Sequence, residues 1–390
     1  MRRSEPGLHV LALNSGSSSL KFGLYRVQSS GAERLLSGEA ESIGSGQGKI
    51  HAEDSQRNEL LSETAAIPGQ QDAIVRIGRL LADTGAPAPA VVGHRVVHGG
   101  PRLRQHCLID GAVLRQLEAA AVFAPLHVPP AVAVIRFAQE HFPGVPQLAC
   151  FDTVFHADLA EVASALPLPK ALRAEGIRRY GFHGLSCESI VRQLARDLPE
   201  RLVIAHLGNG ASITAVKNGR SIDTSMGMTP SGGVIMGTRS GDLDPGVLVY
   251  LLREKKLNAD QIEDLIDRQS GLLGISGVGS DMRRLHQAAA ANADARLAIG
   301  MFCYAVRKQV AAMAAALDGI DLLVFTGGIG EHDAAVRTTI CGGLSCIGLA
   351  PDQTRKAGDS AWSGKVRVIP SQEDEQIACH AWALLPRESP

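Results

Sequence analysis

The sequence predicts an α/β protein made of two lobes of one duplicated design, and three observations carry that reading. Two segments, His9 to Tyr25 and Leu202 to Val216, each run from an apolar strand through a Gly/Ser-rich or Gly-Asn-Gly turn into a second strand. Strand-like and helical segments alternate along the rest of the chain, with glycine-rich turns following strands. A length of 390 residues is enough for two domains, each with its own core. The repeat is loose in its residues, matching Ala12 with Ala205, Ser19 with Ser212 and Leu20 with Ile213. Turns of this kind present backbone N–H groups to an anion, so the duplication predicts two lobes around a phosphate-bearing ligand.

Residues 29–71 are polar, with no long apolar run, and predict short surface strands and loops. Ile74, Ile77, Leu80 and Leu81 share one face at helical spacing over 72–82. Val91 to Gly100 reads as a strand ending in a flexible turn. Helices are predicted at 112–122 and 130–141, the second starting at Pro129-Pro130, and Gln147 to Asp152 as a strand ending on an acid. Residues 161–181, with Pro167, Pro169 and Gly176, predict a crossing between lobes. Helices follow at 186–197, 245–254, 259–268 and 294–317. Asp321 to Thr326 is a buried strand running into a turn at Gly327 to Glu331, and Val366 to Glu373 a returning strand that ends on an acid.

Composition narrows the function classes. Hydrophobic content of 45%, charged content of 20% and a formal charge of −1 describe a soluble globular protein and argue against nucleic acid as a partner. No apolar segment follows Arg2-Arg3, so no secretory signal is expected. The most apolar stretch, 295–317, is interrupted by Arg296, Arg307, Lys308 and Gln309, which excludes a membrane span. Seven cysteines (Cys107, Cys150, Cys187, Cys303, Cys341, Cys346, Cys379) form no Cys-x-x-Cys pair and predict free thiols in a reducing cytosol, hence a cytoplasmic protein.

The common nucleotide motifs fail. Gly48-Lys49 comes nearest to a Walker A loop, but Ile43 stands where the first glycine belongs and Ile50 follows the lysine. No Gly-x-Gly-x-x-Gly follows a strand, and the protein-kinase set is missing. Phosphate handling then falls to the hairpin turns. Ser15 to Ser19 offer hydroxyls and N–H groups, Lys21 a positive charge, and Asn14 a ligand for phosphate or a metal-bound water. An ordinary hairpin with a polar turn carries the same residues, and Gly208-Asn209-Gly210 alone is a standard turn signal. The densest segment runs from Asp223 to Pro230 and on from Met236 to Gly246, with Arg239 among Gly237, Thr238, Ser240 and Gly241. A guanidinium on such a loop can clamp phosphoryl oxygens in a fork. The alternative is a surface turn in which Arg239 pairs with Asp242 or Asp244.

Read together, these motifs match a family in order. Asn14 to Lys21, Gly93 to Gly100, Ala124 to His127, Phe151 to His156, Arg179 to Gly184, His206 to Ser212, Asp223 to Pro230, Met236 to Pro245, Ser280 to Arg283 and Phe325 to Glu331 resemble the acetate kinase family, within the superfamily of acetate and sugar kinases, Hsp70 and actin. The resemblance runs from Leu8 to the C-terminal helix. It implies two duplicated ribonuclease H-like (actin-like ATPase) lobes, each a mixed sheet flanked by helices, with the active site in the cleft between them. The implied lobes are 1–153 with 370–390, on the metal and acetate side, and 154–369, on the nucleotide and dimer side.

The implied reaction is reversible, direct in-line phosphoryl transfer from ATP to acetate, giving acetyl phosphate and ADP, with Mg²⁺ or, alternatively, Mn²⁺. By the same resemblance, Asn14 and Glu373 match the metal positions and Lys21 a position on the ATP phosphates. Arg95 matches the arginine for the acetate carboxylate, Asp152 the catalytic acid, and His183 and Arg239 the two transition-state stabilisers. His206, Leu207, Gly208, Asn209 and Gly210, then Asp281, Met282 and Arg283, then Gly328, Ile329, Gly330, Glu331 and His332 match the ATP-binding segments. Val97, Leu126, Phe182 and Pro230 match the pocket for the acetate methyl. A homodimer is implied through the second lobe, with helix 294–317 read either as an interface element or as a buried core helix.

Chemistry refines these roles. Phosphoryl transfer asks mainly for positioning and charge stabilisation. Acetate, like other carboxylic acids with a pKa of roughly 4–5, is already ionised at neutral pH and needs no general base. Asp152 is therefore expected to orient the metal's water shell or Arg95. Among thirteen histidines only His183 is assigned catalysis, while His94, His98, His127 and His206 are expected as hydrogen-bonding supports, and Mg²⁺ favours oxygen over imidazole. The chain departs from the family pattern at Val128, Leu185, Cys187, Ser231 to Gly233, Ser371, Gln372, Asp374 and His332. None of these is a named catalytic position, and several flank the acyl and nucleotide pockets, which keeps a propionate or other short-chain acyl kinase of the same family as the alternative. An ATP-driven binding protein of the Hsp70 or actin kind has no use for Arg95 and a small acid pocket.

Overall fold

The computed structural model describes residues 7–16, 18–349 and 364–385. Ser17, one of the expected phosphate-turn serines, lies outside them. The chain divides into two compact units, Met1–Val154 with Gln372–Pro390, and Phe155–Ser371.

The first unit is built on an eight-stranded sheet. Its strands are β1 (Leu8–Ser15), β2 (Leu20–Gln28), β3 (Gly31–Glu41), β4 (Gly48–Asp54), β5 (Glu59–Ala65), β6 (Val91–Val96), β7 (Cys107–Leu108) and β8 (Gln147–Phe151), in the order β5-β4-β3-β2-β1-β6-β8-β7. β1 to β5 form an antiparallel meander, and β6 and β8 run parallel to β1. Strand alternation divides the work of the two faces. Leu11 and Leu13 lie opposite Leu24 and Phe22 and bury with Ile74, Ile77 and Ala138 of helices Gln70–Asp83 and Val128–His141. The other face, with Ala12, Asn14, Lys21, Gly23 and Gly93, takes the C-terminal helix Glu373–Leu384. A Cβ on Gly93 would lie 2.3 Å from Ile377 Cγ2, so only glycine lets this helix approach the sheet so closely.

The second unit holds β9 (Arg201–Leu207), β10 (Ala211–Lys217), β11 (Arg220–Thr224), β12 (Leu322–Thr326) and β13 (Val366–Val368), in the order β11-β10-β9-β12-β13. An antiparallel meander again adjoins two parallel strands, as in the β3-β2-β1-β6-β8 part of the first sheet. The duplication is thus one of topology. Helix Ala293–Ala316 packs on β9 to β11, burying Ala298, Phe302, Val306 and Val310. Helix Gly184–Leu194 contributes Cys187, Ile190 and Leu194 to a core with Leu202, Ile204 and Val324. No helix of the described residues is long and apolar enough to cross a membrane.

Four expectations need correction. The tail 366–373 is not one strand: β13 ends at Val368, and Glu373 opens a helix whose first turn carries Glu373, Asp374 and Glu375, acids that favour a helix start. Gly327 to Glu331 is not a loose turn but the short helix Gly327–His332. Residues 161–181 are not a crossing; they belong to the second unit and include helices Glu161–Ser164 and Lys170–Ala174. The polar stretch 29–71 supplies three strands of the main sheet, including the eleven-residue β3.

Each unit also buries a neutral histidine. His94 Nε2 lies 2.7 Å from Gln147 Oε1, and His156 bridges Ser221 Oγ and the Phe182 carbonyl. Burial lowers both pKa values from 6.5 to about 4. The unfolded chain therefore takes up protons that the fold refuses as pH falls below 6.5, and stability drops until about pH 4. The loss reaches on the order of 3 kcal/mol per histidine. Urea titrations should show a midpoint that falls between pH 6.5 and 4.5, and a shallower fall in H94Q/H156Q.

Candidate active site

In the first unit the chain gathers its polar residues where the parallel strands end. Asn14 closes β1, Arg95 lies near the end of β6, and Asp152 follows β8, its N–H bonded to the Val96 carbonyl. Asp152 is fully buried and takes Arg95 on both oxygens, at 3.1 and 3.0 Å from Nε and 2.5 Å from Nη2. Arg95 Nη1 donates to Asn14 Oδ1 at 3.1 Å, and Glu373 lies 3.9 Å from Nε. The Asn14 amide NH₂ donates to Glu373 Oε2 and Asp374 Oδ1 at 3.0 and 3.2 Å. Lys21 faces Asn14 across the hairpin and is exposed. Burial opposes the Arg95 charge, and Asp152, Glu373 and Asp374 outweigh it, holding the guanidinium more firmly protonated than usual. Desolvation and the adjacent Glu373 push the Asp374 carboxyl up to about 6.

In the second unit a different set converges. His183 precedes helix Gly184–Leu194 in a left-handed backbone conformation (φ 59°), a strained state for a residue with a side chain. Its Nδ1 lies 3.0 Å from Ser212 Oγ on β10, and its ring stacks on that of His206 at 4.1 Å and 20°. Two imidazolium rings at that spacing would repel by about 4 kcal/mol at an effective dielectric of 20. His206 Nδ1 lies 2.8 Å from Ser186 Oγ. A Cβ placed on Gly210 would be 3.2 Å from His183 Nε2 and 3.4 Å from Arg239 Nη1, so the β9–β10 turn, His183 and Arg239 meet around one point. Arg239 Nη1 also donates to the Pro230 carbonyl at 3.4 Å, and its loop is pinned to the turn by Gly237 N–H to Asn209 O. Asp242 and Asp244, considered as partners of Arg239, instead accept backbone N–H groups of Gly233 and Gly246.

The remaining candidates fall into three groups. Val97 and Leu126 are half-buried in the first unit, while Phe182 and Pro230 are buried in the second. Asp281 caps helix Met282–Ala288 and pairs with Arg283, which lowers its pKa to about 2. Gly327 (φ 77°) starts helix Gly327–His332 so close to β9 that a Cβ would touch the Leu207 carbonyl at 2.8 Å. Gly328 and His332 are exposed. Glu331 turns back on the backbone, its Oε1 accepting the N–H groups of Gly327 and Ser371 at 2.9 and 3.0 Å. Sequence reasoning gave no role to Asp374, Ser212, Ser186 or Ser371. For Asp374 a signal was present, a second acid beside Glu373; for the serines only spatial proximity reveals them.

Known proteins match this chain over nearly its whole length. The acetokinase family model matches residues 9–381. An acetate kinase of Deinococcus radiodurans is 44% identical over 387 residues, covering 95% of this chain and 96% of that protein. The crystal structure of Porphyromonas gingivalis acetate kinase is 34% identical with a TM-score of 0.85, covering 97% of this chain and 100% of its own. That of a propionate kinase from Francisella tularensis is 36% identical with a TM-score of 0.90 at the same coverage. With a match over nearly its whole length and both sheets in place, the chain belongs to the acetokinase family.

Proposed function

We propose that the chain transfers the γ-phosphoryl group of ATP directly to the carboxylate of acetate, and the reverse, with the two residue sets in separate roles. The observation that carries this reading is the fixed Arg95 guanidinium, a cation held in place by Asp152 and Asn14 and suited to a small carboxylate. In this reading, unit boundaries near 153 and 370 divide an acetate and metal side from a nucleotide side. Arg95 binds the acetate carboxylate, Asp152 orients Arg95, and Val97, Leu126, Phe182 and Pro230 receive the methyl group. Lys21, the 206–210 turn, Asp281 to Arg283 and Gly328 to His332 hold the nucleotide. His183 and Arg239 stabilise the charge that develops on the moving phosphoryl oxygens.

Glu373 with Asn14 would hold Mg²⁺, with Mn²⁺ as an alternative. The residue types fit: the Glu373 and Asp374 carboxylates and the Asn14 carboxamide oxygen are hard donors with no thiol or imidazole among them, although Asn14 here turns its NH₂ to the two acids and its oxygen to Arg95, so that metal binding would require the amide to rotate. When bound, the ion supplies charge neutralisation on the phosphate oxygens. Homodimerisation is supported by two apolar faces in the second unit. Helix Pro245–Arg253 has no buried residue and exposes Val247, Val249, Tyr250 and Leu252, while Leu297, Met301 and Tyr304 are exposed along helix Ala293–Ala316. A cytoplasmic location fits the free cysteines.

Arg239→Ala should lower kcat about 10²–10³-fold, as loss of a preorganised donor does elsewhere, with the melting temperature unchanged. Asp152→Asn should raise KM for acetate more than tenfold and leave KM for ATP nearly unchanged, because it frees the Arg95 guanidinium; normal turnover and magnesium dependence would refute the orienting role. Chelation should abolish turnover, and added Mg²⁺ should restore it. One methylene in an apolar pocket changes discrimination by only about 1–3 kcal/mol, so propionate should be accepted more weakly than acetate. Equal or better kcat/KM on butyrate overturns the acetate assignment.

A further inference from the structure

Three hydroxyl and imidazole groups of the second unit form a chain that the phosphoryl-transfer roles leave unexplained. Ser371 Oγ lies 3.1 Å from Ser186 Oγ, and Ser186 Oγ lies 2.8 Å from His206 Nδ1. Ser186 sits in the first turn of helix Gly184–Leu194, three residues after His183, and is fully buried. Ser371 is the last residue of the unit, with its N–H fixed by Glu331 and the preceding Pro370 carbonyl bonded by Gln193. Both ends of the serine pair are therefore anchored by backbone, and the distances are not a matter of free rotors.

The direction of the chain follows from counting protons. Each serine has one O–H. Among the described residues, Ser186 Oγ is the one partner of Ser371 Oγ, and Ser186 Oγ has only Ser371 Oγ and His206 Nδ1. If His206 donated from Nδ1, Ser186 would donate to Ser371, and the proton of the half-buried Ser371 would be left to solvent. In the opposite direction Ser371 donates to Ser186 and Ser186 donates to His206 Nδ1, so that both protons are used. An imidazole that accepts at Nδ1 and is neutral carries its proton on Nε2. That nitrogen lies 3.8 Å from where a Cβ of Gly208 would stand, in the turn that leads to Gly210.

We propose that Ser186 and Ser371 are positioning residues that hold His206 as the neutral, Nε2-protonated tautomer, a hydrogen-bond donor toward phosphate oxygens that carries no charge of its own. The stacked partner then keeps its freedom. His183, 4.1 Å away and bonded to Ser212, is then spared a like-charged neighbour. Among the groups facing His206 are the His183 ring from the segment before the helix, Ser186 from the helix and the backbone of Gly208 from the β9–β10 turn. This inference rests on the assignment of the 206–210 turn to nucleotide phosphate.

The test uses full-length protein labelled with ¹⁵N in its histidines, without ligand, His206 being assigned from the resonance lost in His206→Gln. The wild type should show a bare Nδ1 and a protonated Nε2 for His206. Ser186→Ala should abolish that pattern and lower kcat/KM for ATP roughly tenfold, the effect of about one hydrogen bond. Ser371→Ala should shift the pattern partway and lower kcat/KM roughly threefold, and Ser371→Thr, which keeps the hydroxyl, should restore both. Thermal melting identifies a variant that has merely unfolded, and the wild-type tautomer decides the matter without any variant. A protonated Nδ1 in the wild type, or an unchanged ring pattern in Ser186→Ala, would overturn the proposal. Failure of the wild type to phosphorylate acetate would instead sink the kinase reading and leave the tautomer result standing.

Discussion

The first unit's set depends on one buried ion pair, Arg95 with Asp152. β1, β6 and β8 are parallel, so their carboxyl ends lie on the same edge of the sheet, and the residues there, Asn14, Arg95 and Asp152, are brought together by topology. Burying a guanidinium without a partner is prohibitive, and breaking such a pair typically costs about 3–5 kcal/mol. Asp152 meets the requirement with both oxygens, and Asn14 takes the third direction of the fork. The side chain is thereby left without rotational freedom. A cation fixed in advance loses little on meeting its substrate, which is the condition for electrostatic stabilisation to act in catalysis.

The second unit solves a different problem with the same strand order. Under the proposed function this unit receives polyphosphate, and such a site has to keep its own acids from repelling the ligand. Asp242 binds the Gly233 amide, Asp244 the Gly246 amide, Asp281 the Arg283 amide and side chain, and Glu331 the amides of Gly327 and Ser371. Each negative charge is set against local N–H groups, and in doing so it fixes a loop. Turn geometry at Gly210 and Gly327 then brings backbone close to the histidine pair and to β9. The acids that look out of place in a phosphate-binding sequence are what give the loops their shape.

How much of this was legible in the sequence varies with the range of the interaction. The hairpins, the helix at 259–268 and the strand at 147–151 follow from local periodicity and turn residues, and local rules suffice for them. The tail was misread because Val366 to Val368 and Glu373 to Glu375 lie on opposite sides of Pro370, and an apolar run ahead of an acid looks like one strand until helix-start charge is considered. Residues 29–71 were read as surface because their strands are only half apolar, which is what a sheet with one buried face requires. Individual polar residues such as Asn14 and Arg95 could be listed as candidates, but the fork among Asn14, Asp152 and Arg95 depends on parallel register over a separation of 81 residues. Ser186 with Ser371, 185 residues apart, is further still from anything a linear pattern can carry.

The geometry also bears on what Asp152 does. Both carboxylate oxygens are engaged with Nε and Nη2 of Arg95, which ties the charge of Asp152 to the guanidinium. Accepting a proton would remove the charge that holds Arg95 in place, at the moment when Arg95 is most needed. Acetate ions have no proton to surrender at neutral pH, with a carboxyl pKa of roughly 4–5, so the reaction gains nothing from such a transfer. Under the proposed function the nucleophile is made available by neutralising and aligning it, and both tasks are assigned to the arginine. In the proposed reaction Asp152 acts on the chemistry through the direction it imposes on Arg95, a part a carboxylate can play in a reaction that moves no proton.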